Sequence, residues 1–245
     1  MLLPFLKPAD QPLRILACVR PMMDGGLDGP VRLSALEGAM QMADVYPGVE
    51  ISALALDEPG GEDVLRTCLA LAADRAYLVQ GPAVSELDMV AIGYLMAGAV
   101  RAIEAADKPF DAIFCGDADP GQDGLGPALA SWLDYPQITG ACSAELGGQD
   151  FRVWRNWDGE LTCLRVKTPC VVSFLRPGSH ARYPRLPRLM AANSAELPVI
   201  KMQTAPFLHE VLPFRLQPKA KQVLDGKDEC AVNTLVELLE REHIL

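Results

Sequence analysis

Residues 110–133 read FDAIFCGDADPGQDGLGPALASWL. The apolar run 110–115 ends in a loop rich in glycine and aspartate, and a small-residue amphipathic stretch follows from about Pro127. Strand, glycine loop, helix is the layout that cradles phosphate, because free amides and the helix dipole both face the loop. Gly121, Gly124 and Gly126 miss the G-x-G-x-x-G spacing, and the loop has no lysine. Asp117, Asp119 and Asp123 start like a calcium loop, but Gly121 and Gln122 stand at its fifth and sixth positions and Ala128 replaces the closing glutamate. The stretch therefore sets a strand-to-helix turn while leaving its ligand open.

The same alternation runs outward on the N-terminal side. Residues 13–21 (LRILACVRP) form a short apolar run with a proline stop, and 49–56 (VEISALAL) and 75–80 (RAYLVQ) are further strands. Between them, residues 32–47 show a helical period ended by Pro47, and 57–74 read as a loop and a helix with acids at its start, which suits the dipole. Residues 85–107 make a long helix, with Ser85 as its expected N-cap. Strands and helices in alternation mean βαβ units and a mostly parallel, doubly wound sheet. Ligands of such sheets lie beyond the carboxyl ends of the strands, so the loops after Val19, Leu56 and Cys115 share the binding edge.

Beyond Gln137 the pattern changes. Turn signals at Gly147–Gly148 and Asp158–Gly159 separate β-prone runs, which predicts an antiparallel hairpin attached to the sheet. Prolines are frequent over 177–218, which predicts an extended arm, and 228–245 closes as an amphipathic helix. We expect one domain over 1–190 and an arm plus helix over 191–245, the helix packing on a partner subunit.

Composition narrows the function classes. The 245 residues are 50% hydrophobic, and the net charge is −10, which repels phosphate backbones and anionic lipid. Neither nucleic-acid binding nor membrane insertion is expected. The seven cysteines are scattered without a C-x-x-C pair and read as reduced thiols of a cytoplasmic protein. The first residues are broken by Pro4 and Pro8 and do not read as a signal peptide. His180, His209 and His243 stand apart from any acid–nucleophile pattern, and no G-x-S-x-G elbow occurs, so a carrier or binding protein is expected and not an enzyme. Residues 174–190 (FLRPGSHARYPRLPRLM) hold four arginines, three prolines and a tyrosine, the composition of a docking loop.

Together these segments resemble a known family. In 153–175 (VWRNWDGELTCLRVKTPCVVSFL), Arg155, Asp158, Gly159, Leu164, Pro169, Val171 and Val172 fit the central pattern of the electron transfer flavoprotein beta subunits, which include the FixA-type proteins. Thr162 and Ser173 depart from it. Arg182, Tyr183, Leu186, Pro187 and Met190 resemble the family's Arg-Tyr-x-x-Leu-Pro-x-aliphatic-Met run, and 65–79 and 133–137 also match. The resemblance implies an adenine-nucleotide alpha-hydrolase-like fold in a subunit that pairs with an alpha subunit holding the redox FAD. It implies electron flow from a flavoprotein dehydrogenase toward a membrane quinone oxidoreductase. In the beta subunit it implies one AMP, or a second FAD in bifurcating members; a structural or regulatory subunit with a decayed site is the alternative. A stand-alone module of the universal-stress type would have no use for the hairpin, the docking loop and the C-terminal helix.

Carried over by resemblance, the nucleotide site comprises Cys18, Val19, Leu56, Gly116, Asp119, Gly121, Gln122, Asp123, Gly124, Leu125 and Gly126, with much of the contact from backbone amides. The loop is about two residues shorter than usual, and Asp123 beside a phosphate would cost free energy. Partner docking falls on Leu175, Arg176, Pro177, Gly178, Ser179, His180, Arg182 and Tyr183. The family's Leu-Asn-Glu-Pro is here PGSHA, so the anchoring leucine is replaced by Pro177 or Gly178, and a dehydrogenase other than the fatty-acyl-CoA type is expected.

Overall fold

The structure is a computed structural model that describes residues 12–21, 33–81, 87–116, 124–148, 150–175, 182–203 and 229–241. Nine strands join in one sheet: β1 (Leu13–Cys18), β2 (Val49–Leu56), β3 (Arg75–Gln80), β4 (Ala112–Gly116), β5 (Gln137–Leu146), β6 (Asp150–Trp157), β7 (Glu160–Lys167), β8 (Cys170–Phe174) and β9 (Val199–Lys201). Their order is β7-β6-β5-β8-β4-β1-β2-β3-β9. The pairs from β5 through β9 are parallel, while β6 runs antiparallel to both β5 and β7. This is the mostly parallel, doubly wound α/β sheet with a hairpin extension that the sequence predicts.

Side chains of β1 alternate between two buried layers. Ile15 and Ala17 join α1 (Ser34–Val45) and α2 (Gly61–Leu71) on one face, through Leu36, Ala39, Val64 and Leu65. Leu16 and Cys18 join α3 (Met89–Ala106) and α4 (Leu125–Leu133) on the other, through Ile92, Met96, Val100 and Leu129. A parallel strand must be apolar on both faces because helices cover both, which is why its sequence reads as a continuous run. Helix α3 is apolar and long enough to cross a bilayer, yet its inner face is filled by this second layer.

The local signals decide most element ends. Tyr46, before Pro47, is extended and ends α1, as the clash of a proline ring with the preceding helical backbone requires. Asp158 and Gly159 both have positive φ (52° and 82°), the two-residue turn that matches strand twist, and Trp157 pairs with Glu160 across it. The N-cap of α3 is Asp88, whose Oδ1 accepts from Ala91 N at 2.7 Å; Ser85 lies outside the described residues.

The expected extended arm is corrected over 186–201. Residues Leu186–Ser194 form helix α5, and β9 pairs with β3. Pro187 sits in the first turn of α5, where its missing N–H costs nothing, so a proline-rich composition conceals a helix. One compact unit spans Met1–Val211. The second, Leu212–Leu245, contains α6 (Glu229–Arg241).

Candidate functional site

From β1 the chain moves outward to β2 and β3, then returns to β4 on the other side of β1. The strand order reverses between β1 and β4, and the crevice beyond their carboxyl ends is where such a sheet receives a ligand. Cys18 stands beside Leu54 and Cys115 in the ladder, and Val19 N continues it by donating to Leu54 O at 2.9 Å. Leu56 ends β2 and Gly116 ends β4 on the same edge. Gly124, Leu125 and Gly126 start α4 there, with no side-chain cap on its first amides. The edge thus brings together Cys18, Val19, Leu56, Gly116, Gly124, Leu125 and Gly126. Asp119, Gly121, Gln122 and Asp123 lie outside the described residues.

Two close approaches shape this edge. A Cβ on Gly126 would overlap the Ser173 hydroxyl and stand 3.3 Å from Ser173 Cβ, so glycine lets α4 start directly against β8. A Cβ on Gly116 would stand 3.3 Å from Ser34 Oγ at the start of α1. Both glycines bring backbone, not side chain, to the crevice, which fits a phosphate held by amides. Val19, Leu56 and Leu125 stand at the same edge with their side chains buried in the core, so their backbone is what they offer to the crevice.

Arg20, at this edge, is paired. Arg20 Nε and Nη2 donate to Glu58 Oε1 and Oε2 at 3.0 and 2.9 Å, a bidentate pair with both side chains largely buried. Gly60, at φ +84°, gives Pro21 room to lie against the turn before α2. The chain leaving β1 is thereby fixed over the end of β2, and Arg20 is committed to Glu58.

The docking residues divide in the same way. Leu175 N donates to Ala141 O at 2.9 Å and its side chain is exposed. Arg182 Nε and Nη2 donate to Glu37 at 3.1–3.3 Å, and Nη2 also to Asp44 Oδ2 at 2.7 Å. These hydrogen bonds, first Asp44 and then Glu37, hold the guanidinium above its ordinary pKa. Tyr183 is 88% exposed. Arg176, Pro177, Gly178, Ser179 and His180 lie outside the described residues.

The sequence reading missed three residues that fasten this segment. Glu37 is an acid inside an apolar helical pattern, and that position was its signal. Arg66 of α2 donates to Ala192 O, Asn193 O and Ala195 O at the end of α5 (2.9–3.2 Å). Arg188 of α5 donates to Leu69 O, Ala72 O and Ala73 O at the end of α2 (2.7–3.0 Å). Each helix supplies the cation that satisfies the other's last carbonyls.

The fold and its edge define a doubly wound α/β protein with a ligand crevice at the strand-order reversal. The chain belongs to the electron transfer flavoprotein family: the family profile described as "Electron transfer flavoprotein domain" matches residues 25–205. Among curated proteins it is similar to "Electron transfer flavoprotein subunit beta" of Megasphaera elsdenii, 32% identical over 69% of this chain and 64% of that one. It is 31% identical to "Protein FixA" of Azotobacter vinelandii over 69% and 62%. It is 26% identical to "Acryloyl-CoA reductase electron transfer subunit gamma" of Anaerotignum propionicum over 88% and 87%. In the first two, the match spans less than two thirds of the relative's length.

Proposed function

We propose that this chain is the beta-type subunit of a heterodimeric electron transfer flavoprotein, carrying electrons from a flavoprotein dehydrogenase toward a quinone oxidoreductase. The observation that carries the reading is the family match over 25–205, supported by the common sheet edge of those implied nucleotide residues that are described. The redox FAD, held mainly by the alpha subunit, supplies the electron chemistry when bound. This chain's own part is to bind and orient. The first amides of α4, with Gly116 and Gly126, would hold the phosphate of an AMP. Val19, Leu56 and Leu125, whose side chains are buried, would contribute backbone only.

A second reading keeps the alpha partner but leaves the nucleotide site decayed. It is favoured by the commitment of Arg20 to Glu58, which removes one cation from the phosphate. One experiment separates the two. The chain is co-expressed with an alpha-type subunit, the complex is heat-denatured, and the released nucleotides are chromatographed. FAD with equimolar AMP supports the carrier with a working site, FAD alone the decayed one, and two FAD per heterodimer a bifurcating subunit. A complex without flavin would overturn the carrier reading altogether.

Partner contacts follow the same reading. The segment 175–183 would meet the dehydrogenase, and its PGSHA sequence argues against the fatty-acyl-CoA type. Tight, loop-dependent binding to an acyl-CoA dehydrogenase would overturn that point. Helix α6 would serve the alpha subunit, because an amphipathic helix needs an apolar contact. Deleting 226–245 should weaken the heterodimer on gel filtration, and an unchanged elution would refute the assignment.

A further inference from the structure

Cys18 of β1 and Cys115 of β4 are in-register neighbours in the parallel ladder. Side chains paired this way point to the same face, and both thiols enter the same buried layer. Strand spacing puts their Cα atoms about 4.8 Å apart, inside the range of about 4.4–6.8 Å that a disulfide spans. Among the described residues this is the one pair of cysteines that are ladder partners: Cys163 faces Trp154, Cys170 faces Ala112, and Cys68 lies on α2. Both members of the pair are present as thiols.

Cys18 ends β1 and Cys115 precedes the last residue of β4, so the pair stands at the strand-order reversal. A Cβ on Gly126 would stand 3.7 Å from Cys115 Cβ, so the first turn of α4 lies directly over this thiol. Cys18 and Cys115 are 2% and 0% exposed. A buried thiol is inert while its cover stays closed. The cover here is one uncapped helical turn, entered through Gly124 at φ +126°. Helix ends open at far lower cost than core strands, so a small oxidant reaches the pair without global unfolding.

We propose that Cys18 and Cys115 form a redox-sensitive dithiol: hydrogen peroxide converts the pair to a disulfide across the strand-order reversal, and the bond unseats the first turn of α4. One sulfur attacks the peroxide, whose O–O bond breaks to leave a sulfenic acid and a water. The second sulfur then displaces the sulfenic oxygen, which leaves as a second water with the second thiol's proton as the S–S bond forms. The two thiols lose two electrons and two protons, and the peroxide takes both. The bond needs Cβ atoms about 3.8 Å apart, about 1 Å nearer than the strand spacing, so β1 and β4 are drawn together beneath α4. The consequence for nucleotide binding rests on the function proposed above, in which the amides of that turn hold the phosphate.

The test uses the full chain co-expressed with an alpha-type subunit, with Cys142, Cys163 and Cys230 changed to serine so that the buried thiols remain. The complex is treated with hydrogen peroxide, denatured in N-ethylmaleimide, digested without reductant and mapped by mass spectrometry. A peptide joining Cys18 to Cys115, lighter by two hydrogens and separated by dithiothreitol, is expected. Cys115→Ala should abolish it and Cys68→Ala should not; where Cys115→Ala fails to assemble, Cys18→Ala removes the other sulfur and gives the same result. Sulfinic or sulfonic acid at these thiols without the link, or a link that forms only in urea, would overturn the dithiol. After gel filtration the linked complex should carry less AMP than the reduced one, and dithiothreitol with free AMP should restore it. A linked complex that keeps its full AMP would overturn the unseating of α4. A reduced complex that carries no AMP would overturn the nucleotide site proposed above, while the linked peptide would still decide the dithiol.

Discussion

Replacing Gly126 by alanine tests the packing that places the first turn of α4 on the binding edge. The new methyl would overlap the Ser173 hydroxyl and stand 3.3 Å from Ser173 Cβ. Ser173 is buried in β8, with paired strands on both sides, so the strand cannot yield cheaply. Overpacking of this kind costs about 1–3 kcal/mol, and alanine returns up to about 1 kcal/mol of helix propensity. The net expectation is a loss of about 1–2 kcal/mol, or about 2–4 °C in Tm for each kcal/mol in a chain of this size. Removing the obstacle should restore the fit. Ser173→Ala alone costs about 1 kcal/mol for a buried hydroxyl, yet in the double variant it should recover about 1–2 kcal/mol of the Gly126→Ala loss. Thermal and urea unfolding of the four proteins supplies the cycle, and nucleotide release from each complex supplies the functional readout. On the proposed site, Gly126→Ala should release less AMP than its parent and the double variant should regain part of the difference. A Gly126→Ala protein as stable as its parent, or strictly additive effects, would refute the close approach.

Three further outcomes follow from other regions. Cys142 and Cys163 are exposed and should react quickly with a thiol reagent, whereas Cys68 and Cys170, whose pKa values burial pushes up to about 12, should react only on unfolding. Asp107 is held below the usual carboxylate range, first by its hydrogen bond to Arg75 and then by the charge of Arg14. Its stabilisation is therefore present above the unfolded carboxylate pKa of about 4 and is lost as pH falls through the folded value. Asp107→Asn should lower Tm near pH 7 and match the parent in acid; a constant difference at all pH values would contradict this. Arg66→Ala and Arg188→Ala should each cost about 1 kcal/mol by leaving helix-terminal carbonyls unmet, and chemical unfolding of the double variant should show coupling, because both contacts join the same two helices.

The parallel part of the fold was legible because doubly covered strands cannot hide: the stretches 15–19, 53–56 and 112–115 within the strand runs are apolar on both faces. The hairpin was legible because only a few residue pairs tolerate positive φ at two successive positions, and Asp158–Gly159 is one. Helix α5 was not legible, since Pro187 reads as a breaker anywhere but the first turn, and β9 is only three residues long. That these strand ends share one edge of the sheet could be read from the sequence alone. Its charge pairs could not. Glu37 and Arg182 are separated by 145 positions, and nothing local tells either which partner it meets.

Those pairs bear on how this edge can hold an anion. A site that attracts phosphate by net charge leaves its cations unmatched until the ligand arrives. Here Arg20 is matched by Glu58 and Arg182 by Glu37 and Asp44. Both guanidinium groups are thus used to shape the chain: one fixes the exit of β1 over β2, the other the return of the docking segment to α1. Among the described residues, what remains to meet a phosphate is the uncapped start of α4, whose amides contribute direction and partial charge over a single turn. Such a cradle depends on placement more than on field, because amides must be within hydrogen-bond reach to act. That makes the seating of α4 on β8, through Gly126 and Ser173, the physical condition for the nucleotide site proposed above.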